Sequence, residues 1–191
     1  METAKRIDNH YTYTDYCAWP DDERWELIDG VAYAMAPGAS EGHQSISGEI
    51  FRQLSNFLKG KPCKVFHAPF DVRLNANGAD DTIVQPDILV VCDNNKLKGG
   101  KGVVGAPDFI VEILSPSSAK HDMVTKFRLY QKSGVREYWI VNPDINAVTV
   151  NVLHGESGFY RSYTYDDQDT AVTVEVLDGC TIDLADVFEV S

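Results

Sequence analysis

No run of apolar residues in this sequence approaches the ~20 that a membrane-spanning helix needs. The opening METAKRIDNHYTYTDYCAWP is polar and aromatic, with no apolar stretch of signal-peptide length. These absences predict a soluble, cytoplasmic protein with no membrane partner. Cysteine is sparse: Cys17, Cys63, Cys92 and Cys180 stand far apart with no C-x-x-C pair. That spacing excludes a zinc knuckle and a redox dithiol. The expectation is four reduced thiols that behave as small hydrophobes. A Walker phosphate loop is absent too. The glycine-rich stretch NNKLKGGKGVVG has Asn95, not glycine, five residues before Gly100, and no Ser or Thr after Lys101. Its Lys96, Lys98 and Lys101 read either as a phosphate grip or as a solvated surface loop.

Basic residues are scarce at both ends. Residues 1–30 hold eight acids against three bases, and residues 142–191 hold ten acids against Arg161 alone. The middle, 31–141, holds eleven acids against thirteen bases, although the whole chain has a formal net charge of −12. That balance speaks against a broad polyanion-binding face and confines any nucleic-acid site to the middle of the chain.

What is present is an ordinary globular composition, 43% hydrophobic and 24% charged over 191 residues. A chain of this length buries roughly 70% of its unfolded surface and needs no staples. With neither repeat nor linker, residues 1–191 are expected to form one domain. WELI and VAYAMA flank Asp29-Gly30, a pair suited to a type I′ turn, so a hairpin is expected over about 24–36, closed by Pro37, Gly38 and Ser40. Ile46, Ile50, Leu54 and Leu58 recur every four residues, which predicts a helix capped by Ser40 and ended by Gly60 and Pro62. KVFHAPFDVRL reads as a strand over about 63–74, TIVQPDILVVC as an apolar strand broken by Asp87, and PDFIVEILS as another broken by Glu112. A second helix follows, capped by Ser117 or Ser118, with Met123, Phe127 and Tyr130 inward and Gly134 beyond its end. VREYWIVN is a fourth strand. The core, about 40–142, is then helix, three strands, helix, strand. AVTVNVL, FYRSYTY and TVEVLDG form an antiparallel extension over about 146–190. The fold class is α/β (α+β) with a mixed central sheet.

Asp87 and Glu112 carry the chemistry. Each interrupts a run of Val, Ile and Leu in a strand that should be buried, and an unpaired carboxylate there costs several kcal/mol. The alternatives are an internal Lys or Arg, a position at a strand end in water, or a hard divalent cation shared by the two carboxylates. Mg²⁺ suits the last case, because it accepts oxygen ligands and keeps waters for substrate phosphates. Asp108 shares parity with Glu112 but follows Pro107, and reads as a solvated strand end.

The order of elements, with Pro86-Asp87 and Glu112 in consecutive strands, resembles the restriction-endonuclease fold and its PD-(D/E)xK motif. Within that superfamily the chain resembles the Uma family of restriction endonucleases through WELIDGVAYAMAPGASEGHQ, QPDILVV, PDFIVEILSPSSAKHDMVTKFRLYQKSGVREYWIVNPD and GCTIDLADVF. These stretches span almost the whole chain. The resemblance implies a Mg²⁺- or Mn²⁺-dependent DNA endonuclease, with Asp87 and Glu112 as metal ligands and catalytic acids and the Ile113 carbonyl as a third ligand. One position departs: the motif's lysine, two residues after the acid, is Leu114. Lys126 on the following helix matches a lysine that family members share, and so becomes the catalytic lysine. The competing reading of Lys126 is a surface bridge to Asp122, four residues earlier, worth ~0.3–0.5 kcal/mol. Glu26 is implied as a supporting acid, with a cross-strand hairpin partner as its alternative role. His43 is implied as a contact for phosphate or for a metal-bound water, with a capping or core role as its alternative. Glu49, on the first helix where the fold conventionally carries the supporting acid, is held in reserve as the alternative to Glu26. A homodimer, formed through the edge strands after Asn142, would suit a nuclease that cuts both strands. Leu114 and the acidic charge point to an alternative: a catalytically inactive nuclease-fold module that binds nucleic acid or a protein. A weaker third reading is a structural protein whose carboxylates hold helices to the sheet.

Overall fold

The computed structural model describes residues 9–20, 23–35, 38–116, 118–155, 157–166 and 168–189. A one-turn helix, α1 (Tyr13–Tyr16), precedes the hairpin of β1 (Trp25–Ile28) and β2 (Val31–Ala34). Asp29 and Gly30 make its turn at φ 46° and 77°, the two left-handed positions of a type I′ turn. Then comes α2 (Glu41–Leu58), where Ser40 Oγ accepts the His43 N–H at 3.2 Å and caps the helix. Its buried stripe is Ile46, Ile50, Leu54 and Leu58, as their spacing requires. Pro37 and Ser117, two residues given boundary roles from sequence, lie outside the described residues.

Two expected strands are in fact four. The first splits into β3 (Lys64–His67) and β4 (Val72–Arg73), the second into β5 (Ile83–Val84) and β6 (Ile88–Val91). A proline sits at each break, Pro69 and Pro86, and removes the N–H that a continuous ladder would use. The chain changes sheets at both places. After β7 (Val103–Val104) come β8 (Phe109–Ile113), β9 (Glu137–Asn142), β10 (Ala147–His154) and β11 (Phe159–Tyr165). One sheet runs β11-β10-β9-β8-β6-β3 with β8 and β9 parallel, and the other runs β2-β1-β5-β4-β7 with β4 and β7 parallel. Both sheets are mixed. The C-terminal part departs from expectation: β12 (Ala171–Thr173) and β13 (Thr181–Asp183) pair with each other in a separate small sheet, and α4 (Leu184–Glu189) packs on α2.

Between β8 and β9 the chain passes through a π-helical turn, His121–Lys126, into α3 (Phe127–Ser133), which Gly134 ends at φ 80°. The expected inward stripe is only partly right. Met123 is 55% exposed, whereas Asp122, Lys126, Leu129 and Tyr130 are buried. A π turn carries an extra residue per turn, which rotates the stripe and drives a polar pair inward.

The six-stranded sheet is covered on both faces. Trp139, Phe109 and Val111 pack with α2 and the C-terminal elements, while Tyr138, Ile110 and Leu89 pack with Tyr130 and with Val72, Val84 and Val103 of the five-stranded sheet. Cys63 and Cys92 form a disulfide, correcting the expectation of four reduced thiols. Lys64 pairs with Val91 across β3 and β6, so one residue further out the two cysteines face each other, a relation that 29 residues of separation hide. Asp108 is buried rather than solvated, and accepts the Cys92 N–H at 2.7 Å and Arg136 Nη1 at 2.9 Å.

Candidate active site

Pro86 lies in the break between β5 and β6, so Asp87 immediately precedes β6 rather than interrupting it. Ile88 pairs with Val111, which brings Asp87 up to Glu112 at the next position along. Asp87 Oδ2 accepts the Ile113 N–H at 2.7 Å and pairs with His43 Nε2 at 3.2 Å, where the first turn of α2 reaches the strand end. Asp87 raises the pKa of His43 through that hydrogen bond, against the lowering effect of burial.

Glu112 lies inside β8 and is 4% exposed. Its Oε1 accepts Lys126 Nζ at 2.9 Å and the Tyr130 hydroxyl at 2.7 Å. Lys126, itself 4% exposed, also reaches Glu26 Oε1 at 2.9 Å and Asp122 Oδ1 at 3.5 Å. The surface-bridge reading of Asp122 and Lys126 is therefore wrong: both are inside, and the ammonium serves three carboxylates. Glu26 enters from β1 of the other sheet and accepts the Gln85 N–H at 2.9 Å, so the cluster closes the seam between the two sheets.

Charge in this seam is unevenly shared. Burial opposes the charge on Lys126, but Glu112, Glu26 and Asp122 overcome it and hold its pKa well above the ordinary lysine value. Burial would also raise Glu26, yet Lys126, His121 and the Gln85 N–H bring it down to about 2. For Glu112 burial prevails: Lys126 pulls down, Asp122, Asp87 and Glu26 push up, and its pKa stands well above the usual carboxylate range. Asp122 is likewise raised, chiefly by burial. One ammonium cannot offset all the carboxylates around it.

Among the described residues, three buried side-chain polar atoms lack a hydrogen-bond partner: His43 Nδ1, His121 Nε2 and Asp122 Oδ1. All belong to this cluster. An unsatisfied buried polar group costs roughly 1–3 kcal/mol, so each of these atoms would gain from a further polar partner, although Asp122 Oδ1 already faces Lys126 Nζ at 3.5 Å. A family model described as "Putative restriction endonuclease", Uma2, matches residues 13–185. The chain belongs to the Uma2 family. It is 30% identical over 143 residues to the uncharacterized protein slr1290 of Synechocystis sp. (strain ATCC 27184 / PCC 6803 / Kazusa), covering 73% of this chain and 72% of that one. A solved structure, described as a "putative nuclease belonging to DUF820" from Anabaena variabilis ATCC 29413, matches with a TM-score of 0.75. That likeness covers 94% of this chain and 98% of the other at 20% identity, and it establishes the fold. This Uma2 chain is thus a nuclease-like module with a restriction-endonuclease-like fold.

In this Uma2 chain the motif's lysine position is filled by Leu114, 9% exposed, in the apolar cluster with Leu129, Tyr130 and Ile140. An ammonium arrives at Glu112 from the helix side instead. Glu49 is elsewhere: it binds Arg52 Nε at 2.7 Å and Gln53 Nε2 at 2.8 Å, and Arg52 leads on to Asp186 of α4. Lys96 is tied to its own loop, its Nζ donating to the Ala106 carbonyl at 2.6 Å. The donor set suits a hard cation. Asp87 engages Oδ2 and Glu112 engages Oε1, so these contacts fall on one oxygen of each carboxylate. Among the described residues no group of three or more His, Cys, Asp or Glu side chains could hold a metal ion. Two carboxylates alone are a sparse set, one that Mg²⁺ would accept only with water and phosphate completing its shell. Sequence reasoning missed Asp122, Tyr130 and His121. The signal for two of them was present: Asp122, Lys126 and Tyr130 recur every four residues, a polar stripe on a helix otherwise expected to be apolar inside.

Proposed function

We propose that this Uma2 protein is a Mg²⁺- or Mn²⁺-dependent endonuclease that hydrolyses phosphodiester bonds of DNA. The observation that carries the reading is the buried Lys126 ammonium 2.9 Å from Glu112, beside Asp87, in a chain whose motif lysine is Leu114. Asp87 and Glu112 would hold the cation, with the Ile113 carbonyl as a third ligand. Bound there, the cation supplies Lewis acidity at a phosphoryl oxygen and a nucleophilic water at neutral pH. Lys126, kept charged by its carboxylates, steadies negative charge on the phosphate in the transition state. Tyr130 and Lys126 fix one oxygen of Glu112 and leave the other to ligate. Glu26 and Asp122 hold Lys126 in position, and His43, oriented by Asp87, contacts a phosphate oxygen or the attacking water.

Leu114 favours a second reading, the same fold without catalysis, binding nucleic acid or a protein partner. Supercoiled plasmid separates the two. The nuclease reading expects nicking by purified protein with Mg²⁺ or Mn²⁺, none with chelator, and none by Asp87→Asn. It also expects Mn²⁺ to raise the melting temperature of the wild type and not of Asp87→Asn. DNA binding without nicking, unchanged by divalent ions, would instead establish the inactive module.

A further inference from the structure

His121 belongs to the cluster but to none of the roles above. Its ring sits at the start of the π turn, held against Tyr33 of β2 with centroids 4.9 Å apart. Nε2 is buried, has no hydrogen-bond partner among the described residues, and lies 3.7 Å from Glu26 Oε2. The side chain is nevertheless 23% exposed. Nε2 is covered and faces Glu26, so the exposed part of the ring lies elsewhere and Nδ1 is the nitrogen that Glu26 does not engage. Glu26 is the same carboxylate that Lys126 links to Glu112, so Glu26 and Lys126 stand between the ring and the proposed metal ligand. The titratable groups facing it are Glu26 from β1, Tyr33 from β2 and Asp122 from its own turn, with Lys126 on the far side of Glu26.

Hydrolysis of a phosphodiester expels an alkoxide, which needs a proton. Lys126 is a poor source, because its loss of charge would leave three buried carboxylates without a cation. His43 engages Nε2 with Asp87 and buries Nδ1. That leaves His121, with a carboxylate behind it and solvent in front, an arrangement in which the carboxylate orients the ring and fixes its tautomer. The 3.7 Å gap is of the kind that tightens on substrate binding. We propose that His121 is the general acid of the reaction, oriented by Glu26; this rests on the nuclease reading above.

In the step, a water oxygen forms the new bond to phosphorus, and the bond from phosphorus to the leaving oxygen breaks with its electron pair on that oxygen. The leaving oxygen takes the Nδ1 proton of the His121 imidazolium. The attacking water gives its proton to bulk solvent, which reprotonates His121. One water is consumed, and an alcohol and a phosphomonoester result.

The test compares DNA with thymidine 5′-p-nitrophenyl phosphate, whose phenolate leaves without a proton. For His121→Gln, kcat on DNA should fall about 10²-fold with KM within ~2-fold, while ester turnover falls less than ~3-fold. His121→Ala, rescued on DNA by added imidazole, serves if the Gln variant melts early. Equal losses on both substrates, a loss confined to KM, or no imidazole rescue would overturn the assignment. Wild type that cleaves neither substrate with Mg²⁺ or Mn²⁺ would refute the nuclease reading and this role with it, an outcome distinct from a His121 variant as active as wild type.

Discussion

Without Lys126, the Glu26, Glu112 and Asp122 carboxylates would face one another across a dry seam with no cation. Breaking a buried pair in this way costs about 3–5 kcal/mol, far above the fraction of a kcal/mol that a surface bridge contributes. Lys126→Met should therefore lower unfolding stability by that order in urea titrations at pH 7, and a loss below ~1 kcal/mol would mean the ammonium is not buried as described. The two acids nearest Lys126 act oppositely with pH. Glu26, depressed to about 2 from 4.5, contributes stability above pH 4.5 that is lost as pH falls through 2. Glu112, raised, contributes stability at acid pH that is lost as pH rises. Neutralising Glu112 thus removes a buried charge that the fold resists. At this scale the sequence was informative about Asp87, Glu112 and Lys126, because a charge inside an apolar run, or a family motif, picks them out. It was silent on His121 and Gln85, whose parts depend on an Nε2 position and a main-chain N–H that no residue pattern encodes.

Elements explain which residues could reach the seam. The π turn His121–Lys126 rotates the helix so that Asp122 and Lys126 face inward; the four-residue spacing of Asp122, Lys126 and Tyr130 hints at that stripe, but the π turn itself has no sequence signature. The hairpin turn and α2 were legible, since Asp29-Gly30 and the Ile46–Leu58 stripe each act through local geometry. The splitting of two expected strands was not: Pro69 and Pro86 were visible, but which sheet each fragment joins is decided by tertiary partners. The same logic bears on Leu114. Its face of β8 packs in an apolar cluster while Lys126 already supplies the ammonium. Restoring the motif as Leu114→Lys should then destabilise the protein by about 2 kcal/mol or more without raising plasmid nicking. Increased nicking by that variant would show that the helix-borne lysine is a poor substitute.

For the whole molecule, another buried acid ties the C-terminal part to the main sheet. Glu137 on β9 is fully buried, and it accepts the Trp139 Nε1–H at 2.6 Å and the Val176 N–H at 2.9 Å. Burial nevertheless raises its pKa from 4.5 to about 7, with these two donors pulling the other way. Its contribution to stability is fully present below pH 4.5 and is lost as pH rises through 7, up to roughly 3 kcal/mol. Glu137→Gln should be less stable than wild type at pH 5, because one amide oxygen cannot serve two donors, and this deficit should shrink or reverse by pH 8. A deficit constant across that range in urea titrations would mean that Glu137 stays ionised throughout. Within the net charge of −12, the excess of bases is confined to the middle of the chain, where Asp87, Glu112 and Lys126 lie, while Glu26 comes from the acidic N-terminal segment. The most direct test of the central claim is cleavage of supercoiled plasmid with Mn²⁺ by wild type and Glu112→Gln side by side. The substituted amide would keep an acceptor for Lys126 and Tyr130, so the expected result is a folded variant that does not nick DNA while the wild type does. Equal nicking by the two proteins would contradict it.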